Sequence, residues 1–175
     1  GNVSFGNTID GSHDLAIEAG SGRIDFFGAL GASAPLQSLN LASAAAVQAN
    51  STLAIDGTGG TGPGVRVGPN VDNLNIAQPG STISNASQDG ILFAGGSANS
   101  TVGGFTITNS GGSGVSILSG LYGGTSAFTN LMVTGSAVDG FAATGAFGFH
   151  VTNSEFTTNG RHGIHFDRTY SSHAQ

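Results

Sequence analysis

The sequence predicts an all-β fold, a right-handed parallel β-helix (a solenoid) of about seven coils of 21–26 residues, on three observations. Glycine occupies 31 of the 175 positions, against about 7 % of residues in average proteins. Short apolar runs alternate with turns rich in Gly, Ser, Asn and Thr, the pattern of a protein built from short strands. One strand motif returns at intervals of one coil, which is the signature of a repeat architecture.

The composition also limits the function. Charged residues are 8 % of the chain, while 38 % are hydrophobic, so the chain can bury enough apolar surface to fold. The chain has only 4 basic residues against 10 acidic ones and a net charge of −6. Nucleic acid is therefore excluded as an expected partner. No run of about 18 apolar residues occurs, which predicts no membrane insertion. The absence of cysteine leaves no disulfide framework.

The clearest repeat is a glycine followed by an apolar, a variable and a second apolar residue. It occurs at residues 64–67, 90–93, 114–117, 140–143 and 163–166, at steps of 23 to 26 residues. Side chains two apart on a strand share a face, which predicts two inward columns. The first column is Val65, Ile91, Val115, Phe141 and Ile164, and the second is Val67, Phe93, Ile117, Ala143 and Phe166. The residues between them, Arg66, Leu92, Ser116, Ala142 and His165, are expected to point outward.

Three further columns keep the same register upstream of each glycine. Two are apolar and predict further strands of the coil: Ile83, Ile107, Val133 and Phe156, and then Val102, Phe128 and Val151. The third is a turn column of Asn85, Asn109, Gly135 and Thr158. Asparagine tolerates left-handed backbone and can stack its amides between coils. We therefore expect an asparagine ladder, interrupted at Gly135.

The first 60 residues repeat in a different way. Residues 3–5 with Ile9 match residues 24–26 with Leu30, residues 15–17 match 39–41, and residues 53–55 look like a third version. The glycine-rich residues 58–64 are interpreted as a loop projecting from a continuous β-helix or as a linker. The Ala-rich stretch 41–49 is the only candidate for a short α-helix. We expect one continuous β-helix over 1–175, with coils of one kind over 1–57 and of another over 64–168.

Two stretches resemble known families. Residues 1–20 resemble the repeats of filamentous-haemagglutinin-like adhesins and autotransporter passengers, and residues 105–117 are similar to the coils of right-handed β-helix proteins of the pectate-lyase type. The first resemblance implies export and display at a bacterial surface, with this sequence a piece of a longer protein. The second leaves an enzyme open. One coil architecture carries both kinds of activity, so the resemblance is informative about fold and not about function.

Candidate chemistry lies in the position before each repeating glycine, occupied in turn by Pro63, Asp89, Ser113, Asp139 and His162. Asp89 and Asp139 lie two coils apart, about 9.6 Å by strand spacing, at the far limit for a pair of glycosidase carboxylates. Both also fit ordinary Asp-Gly turns, which is the interpretation we prefer. A lyase site would use Asp139, Arg161, His162 and Arg168.

Metal binding finds little support in the sequence. Ca²⁺ would accompany only the lyase hypothesis, and its cluster of carboxylates on consecutive coils is missing because Ser113 lies between the two aspartates. His162 and His165 form a candidate metal pair, but a surface patch is the preferred interpretation of segment 161–168. We therefore predict no cofactor and no metal.

The expected function is a structural or adhesive segment of a large secreted or surface-displayed bacterial protein. Its expected partners are copies of itself or flanking coils, joined through exposed end coils, and a glycan or a host or cell surface. The alternative is a polysaccharide lyase or glycoside hydrolase fragment of β-helix type. The expected location is extracellular or at the bacterial cell surface.

Overall fold

The computed structural model describes residues 1–119, 125–169 and the backbone of 173–174. These residues form strands and turns, with no helix among them. The strands are β1 (Val3–Phe5), β2 (Asp14–Glu18), β3 (Arg23–Phe26), β4 (Ser38–Ala44), β5 (Ala46–Ala49), β6 (Ala54–Asp56), β7 (Val65–Val71), β8 (Leu74–Ser84), β9 (Ile91–Phe93), β10 (Thr101–Thr108), β11 (Val115–Ile117), β12 (Ser126–Thr129), β13 (Met132–Thr134), β14 (Phe141–Thr144), β15 (Phe149–Thr152), β16 (Glu155–Thr157), β17 (Ile164–Asp167) and β18 (His173–Ala174).

The strands stack in parallel into a β-solenoid of about seven turns. One face is a seven-stranded sheet in the order β17-β14-β11-β9-β7-β4-β2. A second face runs β1-β3-β5-β8-β10-β12-β15-β18. The third face contains β6, the second halves of β8 and β10, β13 and β16. The coils therefore pass through all three faces, as the repeat pattern predicted, although the first two coils contribute only isolated bridges at Ile9 and Leu30 to the third face.

The predicted columns are confirmed in register. On the seven-stranded face Val65 pairs with Ile91, Ile91 with Val115, Val115 with Phe141 and Phe141 with Ile164. The column from Ile83 to Phe156 and the column from Val102 to Val151 also pair coil by coil. Both apolar columns of the seven-stranded face extend backward to Leu39 and Leu41 and then to Leu15 and Ile17.

Two sequence-based predictions for the first half are wrong. Leu53 and Ile55 are not a third version of Leu15 and Ile17, because they belong to the third face, where Ile55 pairs with Ile83 and Leu53 bridges to Leu30. The Ala-rich stretch is not helical, since it forms β4 and β5. Buried and half-buried residues alternate along both strands, apart from one bulge in β4, so packing between coils overrides the helix propensity of alanine.

The core is an apolar column along the solenoid axis, and its second half is aromatic. Phe141 packs edge-on against Phe128, with ring centroids 5.1 Å apart, and stacks on Phe149 at 5.8 Å. Phe166 closes the cluster against Phe149 at 5.3 Å. Phe128, Phe141 and Phe149 have no exposed surface, so this cluster ties three successive coils together.

Four of the repeating glycines, Gly64, Gly90, Gly114 and Gly140, are required by space and not by a left-handed backbone, whereas a Cβ atom on Gly163 would meet only ordinary contacts. A Cβ atom on Gly114 would lie 2.7 Å from the Gly140 carbonyl oxygen, and one on Gly90 would lie 2.5 Å from that of Gly114. Left-handed backbone occurs instead in the turn column that follows the third face, at Asn85, Asn109, Gly135 and Thr158. One amide step of the expected ladder is present, from Asn109 Nδ2 to Asn85 Oδ1 at 3.4 Å.

The glycine-rich loop 58–64 lies against the coils on both sides of it. Gln37 donates to the Thr58 carbonyl at 3.0 Å, and Gln88 donates to the Thr61 carbonyl at 3.0 Å. The Gly64 amide continues the turn stack by donating to the Asp89 carbonyl. Within the described residues, no helix is long and apolar enough to cross a bilayer.

Candidate functional site

The turn position before each repeating glycine forms a continuous stack. The amides of Gly64, Gly90, Gly114 and Gly140 donate to the carbonyls of Asp89, Ser113, Asp139 and His162 respectively, at 2.9–3.0 Å. Asp139 therefore lies one coil below His162. Because β14 pairs with β17 and Ala142 pairs with His165, the second histidine lies over the same corner. Coil stacking thus gathers residues that are 22 to 26 positions apart in the chain.

Asp139 is the centre of the site, and its side chain has no exposed surface. Its Oδ2 atom lies 2.7 Å from Arg161 Nη2, and its Oδ1 atom lies 2.8 Å from His162 Nδ1. The His162 backbone amide also donates to Oδ1, at 3.2 Å. His165 Nδ1 lies 3.6 Å from Oδ2. Three side chains from the next coil therefore converge on one buried carboxyl group.

The charge of Asp139 is set by these partners. Burial by itself would raise the pKa of the Asp139 carboxyl. The hydrogen bonds from Arg161 and His162 and the positive charge of Arg161 outweigh burial, and they hold the pKa below its ordinary value. Asp139 is consequently ionised at neutral pH. An ionised carboxylate can only accept hydrogen bonds.

This charge determines which nitrogen of His162 carries the proton. Nδ1 faces an acceptor at 2.8 Å, so Nδ1 must donate, and in the neutral ring Nε2 then holds the lone pair. The side chains of His162 and Arg161 are each 55 % exposed, and that of His165 is 44 % exposed. A ligand arriving from solvent thus meets two imidazoles and a guanidinium, which are held in place by the carboxylate buried beneath them.

Two of the other sequence-predicted candidates lie outside this cluster. Arg168 is 82 % exposed, and its Nε lies 4.0 Å from the adjacent Asp167. Asp89 accepts a hydrogen bond from the Ser113 amide at 2.7 Å. Burial raises the pKa of the Asp89 carboxyl, opposed only in part by that bond. Asp89 therefore behaves as a turn residue. The equivalent residue two coils later, Asp139, forms an ion pair instead.

Sequence reasoning grouped Asp139 with Arg161 and His162, but it treated His165 as an outward residue or as half of a metal pair. The two histidine rings do lie together, with centroids 5.1 Å apart. Sequence reasoning did not predict that Asp139 lies beside both histidines. One ligand atom from each of Asp139, His162 and His165 lies within 4.8 Å of the ligand atoms of the other two. The available signal was register, because His165 stands one coil above Ala142, three residues beyond Asp139.

The same sheet carries a second polar concavity. A cavity of about 190 Å³ is lined by Asp14, Ser38, Asn40 and Arg66 together with part of the 58–64 loop. Arg66 Nη1 donates to Asn40 Oδ1 at 3.4 Å. Arg66 and His165 occupy one column of this sheet, with Leu92, Ser116 and Ala142 between them, of which Ser116 is buried. That column spans four coil steps, about 19 Å at ordinary strand spacing.

Comparison of the chain with protein-family models, with curated proteins and with solved structures found no match in any of the three. The parallel β-solenoid is therefore established by the structure alone, and the resemblance to adhesins and autotransporter passengers has no support from related proteins.

Proposed function

We propose that the protein acts on an acidic polysaccharide, removing the proton α to a uronate carboxylate and cleaving the chain by β-elimination. The observation that carries this proposal is the pairing of buried Asp139 with His162 Nδ1 at 2.8 Å. The pairing leaves Nε2 of a half-exposed imidazole as a proton acceptor. A histidine held in one tautomer by a carboxylate is a common general base.

The cluster can perform each part of this reaction. His162 Nε2 takes the proton from the carbon next to the carboxylate, and the electron pair forms a double bond as the glycosidic oxygen departs. Arg161 lies on the same carboxylate of Asp139 and offers its remaining N–H groups to the uronate, whose charge grows in the transition state. In this proposal His165, whose Nδ1 lies 3.6 Å from the same carboxylate, would protonate the departing oxygen.

A glycoside hydrolase is less consistent with the geometry. Hydrolysis usually needs two carboxyl groups that touch the sugar on either side of the bond. The Asp139 side chain is fully buried and ion-paired, so it cannot reach a substrate. Arg66 lies on the same face of the solenoid as His165, so an elongated anionic chain lying along this face would meet Arg66 with a second uronate.

The decisive experiment is incubation of the purified protein with polygalacturonate and with alginate, following the ultraviolet absorbance of the unsaturated product. We expect His162→Ala to lower the rate by about 10²–10⁴-fold, the usual contribution of a general base, and Arg161→Ala to lower it as well. His13→Ala, an exposed histidine on another coil, is the control and should retain the full rate. If neither substrate gives product and neither is retained by the protein in affinity electrophoresis, the proposal is wrong.

The second candidate is a structural or adhesive segment of a secreted or surface-displayed bacterial protein. What supports it is an uninterrupted apolar core through all of the described coils, combined with a chain of which only 8 % is charged. Such a rod would join to copies of itself or to flanking coils, and it would contact a glycan or a cell surface. This candidate predicts binding on a glycan array that survives Arg161→Ala and His162→Ala, and association detectable by sedimentation.

A further inference from the structure

We infer that Asp139, His162 and His165 form a binding site for one divalent transition-metal ion, of which Zn²⁺ is the best fit. One donor atom from each residue lies within 4.8 Å of the other two. Ligand atoms about 2.0–2.2 Å from a shared Zn²⁺ are separated by little more than 3 Å. A contraction of at most about 1.5 Å would therefore complete the site, and the two half-exposed imidazoles can supply it.

The ligand chemistry selects the kind of ion. Two imidazoles and one carboxylate are a borderline-soft set that suits Zn²⁺, whereas Ca²⁺ takes six to eight oxygen ligands. Within the described residues only one carboxylate oxygen pair is present at this corner, so Ca²⁺ has too few partners. Three protein ligands also leave a coordination position open to water, as in zinc sites that are not purely structural.

Arg161 opposes the ion and sets its affinity. Its guanidinium lies 2.7 Å from Asp139 Oδ2 and already neutralises the carboxylate. The ion must displace this cation and also the proton that His162 Nδ1 shares with Oδ1. The Arg161 side chain is 55 % exposed, so it can move into solvent without breaking the core. The site thus has two competing states, one closed by Arg161 and one holding a metal ion.

This inference does not depend on the proposed polysaccharide activity, and its test measures binding directly. The full chain, with no affinity tag and freed of metal by chelation, is titrated with Zn²⁺ by calorimetry at pH 7. Co²⁺ is titrated in parallel, because its visible absorption bands report coordination by nitrogen and oxygen ligands. We expect one ion per chain, a Kd at least tenfold weaker in His165→Ala and in Asp139→Asn, and a Kd severalfold tighter in Arg161→Gln.

Two controls keep the result decisive. His13→Ala removes a histidine far from the site and should leave the Kd unchanged. Asp139 is buried, so Asp139→Asn is scored only if its circular dichroism matches the wild type; His165→Ala, at a half-exposed position, decides the matter otherwise. Absence of Zn²⁺ binding in the wild type, or binding that His165→Ala and Arg161→Gln leave unaltered, would overturn the inference. Loss of lyase activity alone would not bear on it.

Discussion

Asp89 and Asp139 occupy the same position of the coil, two coils apart, and their carboxyl pKa values move in opposite directions. Burial dominates at Asp89 and raises its pKa. At Asp139 the effect of burial is outweighed by Arg161 and His162, which lower its pKa. The difference comes from the next coil, because Asp89 has Ser113 above it and Asp139 has His162. A single repeat position thus serves as a turn in one coil and as the anchor of a charged cluster in another.

This relationship predicts opposite effects of two matched substitutions. A carboxyl group whose folded pKa is lowered stabilises the fold above its unfolded pKa of about 3.9 and loses that effect as pH falls through the folded pKa. Asp139→Asn should therefore lower the free energy of unfolding by about 1–3 kcal/mol at pH 7, and the difference from wild type should disappear in acid.

Asp89 has a raised folded pKa, so its charged form disfavours folding at neutral pH. Asp89→Asn should be neutral or stabilising at pH 7, with its difference from wild type vanishing below pH of about 4. Urea unfolding of the wild type, Asp139→Asn and Asp89→Asn between pH 3 and 7 measures both differences in the free energy of unfolding. If the three stabilities change with pH in parallel, the opposite pKa shifts of Asp89 and Asp139 are contradicted.

The aromatic cluster should dominate the stability of the second half. Phe141 contacts Phe128, Phe149 and Phe166 and is fully buried. Phe141→Ala should lower the free energy of unfolding by about 3–5 kcal/mol, because it leaves a cavity between coils. Phe27, which is 58 % exposed, is the matched control, and Phe27→Ala should change the free energy by less than about 0.5 kcal/mol. Equal losses in chemical denaturation would show that Phe141 is not in the core.

The repeating glycine should tolerate no side chain. In Gly114→Ala the new methyl group would meet the Gly140 carbonyl oxygen at 2.7 Å and also the side chain of Val133. The coils would have to separate locally, at a cost of about 1–3 kcal/mol. A Cβ atom on Gly62 meets nothing within 4 Å, so Gly62→Ala should unfold at nearly the wild-type temperature in a thermal melt. A Gly114→Ala melt that matches the Gly62→Ala melt would contradict the close approach.

The turn column offers a test that separates backbone strain from the amide ladder. Asn109 has a left-handed backbone, with φ of 55°, and its amide donates to Asn85 Oδ1. Asn109→Ala should cost about 1–2 kcal/mol, because alanine in this region is strained and the amide bond is lost. Asn109→Gly loses only the amide bond, and glycine already fills the equivalent position at Gly135. Denaturant unfolding should therefore rank wild type first, Asn109→Gly second and Asn109→Ala last.

The wrong assignment of Leu53 and Ile55 has a specific physical cause. Leu53 and Ile55 have the same spacing as Leu15 and Ile17, but spacing within one strand does not say which face of the coil the strand joins. The step of 28 residues from Leu53 to Ser81 is longer than the predicted range. The columns that follow a repeating glycine were predicted in register, and the matches of residues 3–5 with 24–26 and of residues 15–17 with 39–41 are confirmed without that landmark.

From sequence alone, the alternation of apolar residues and the repeating glycine determined the parallel stack, its inward columns and the coil length. Those features depend on two-residue periodicity and on the absence of a Cβ atom, which are local properties of the chain. Only the tertiary structure decided that Asp139 is buried under Arg161, His162 and His165. Side-chain direction at a corner, burial and the competing charges all depend on the coil above, and so does the chemistry of the site.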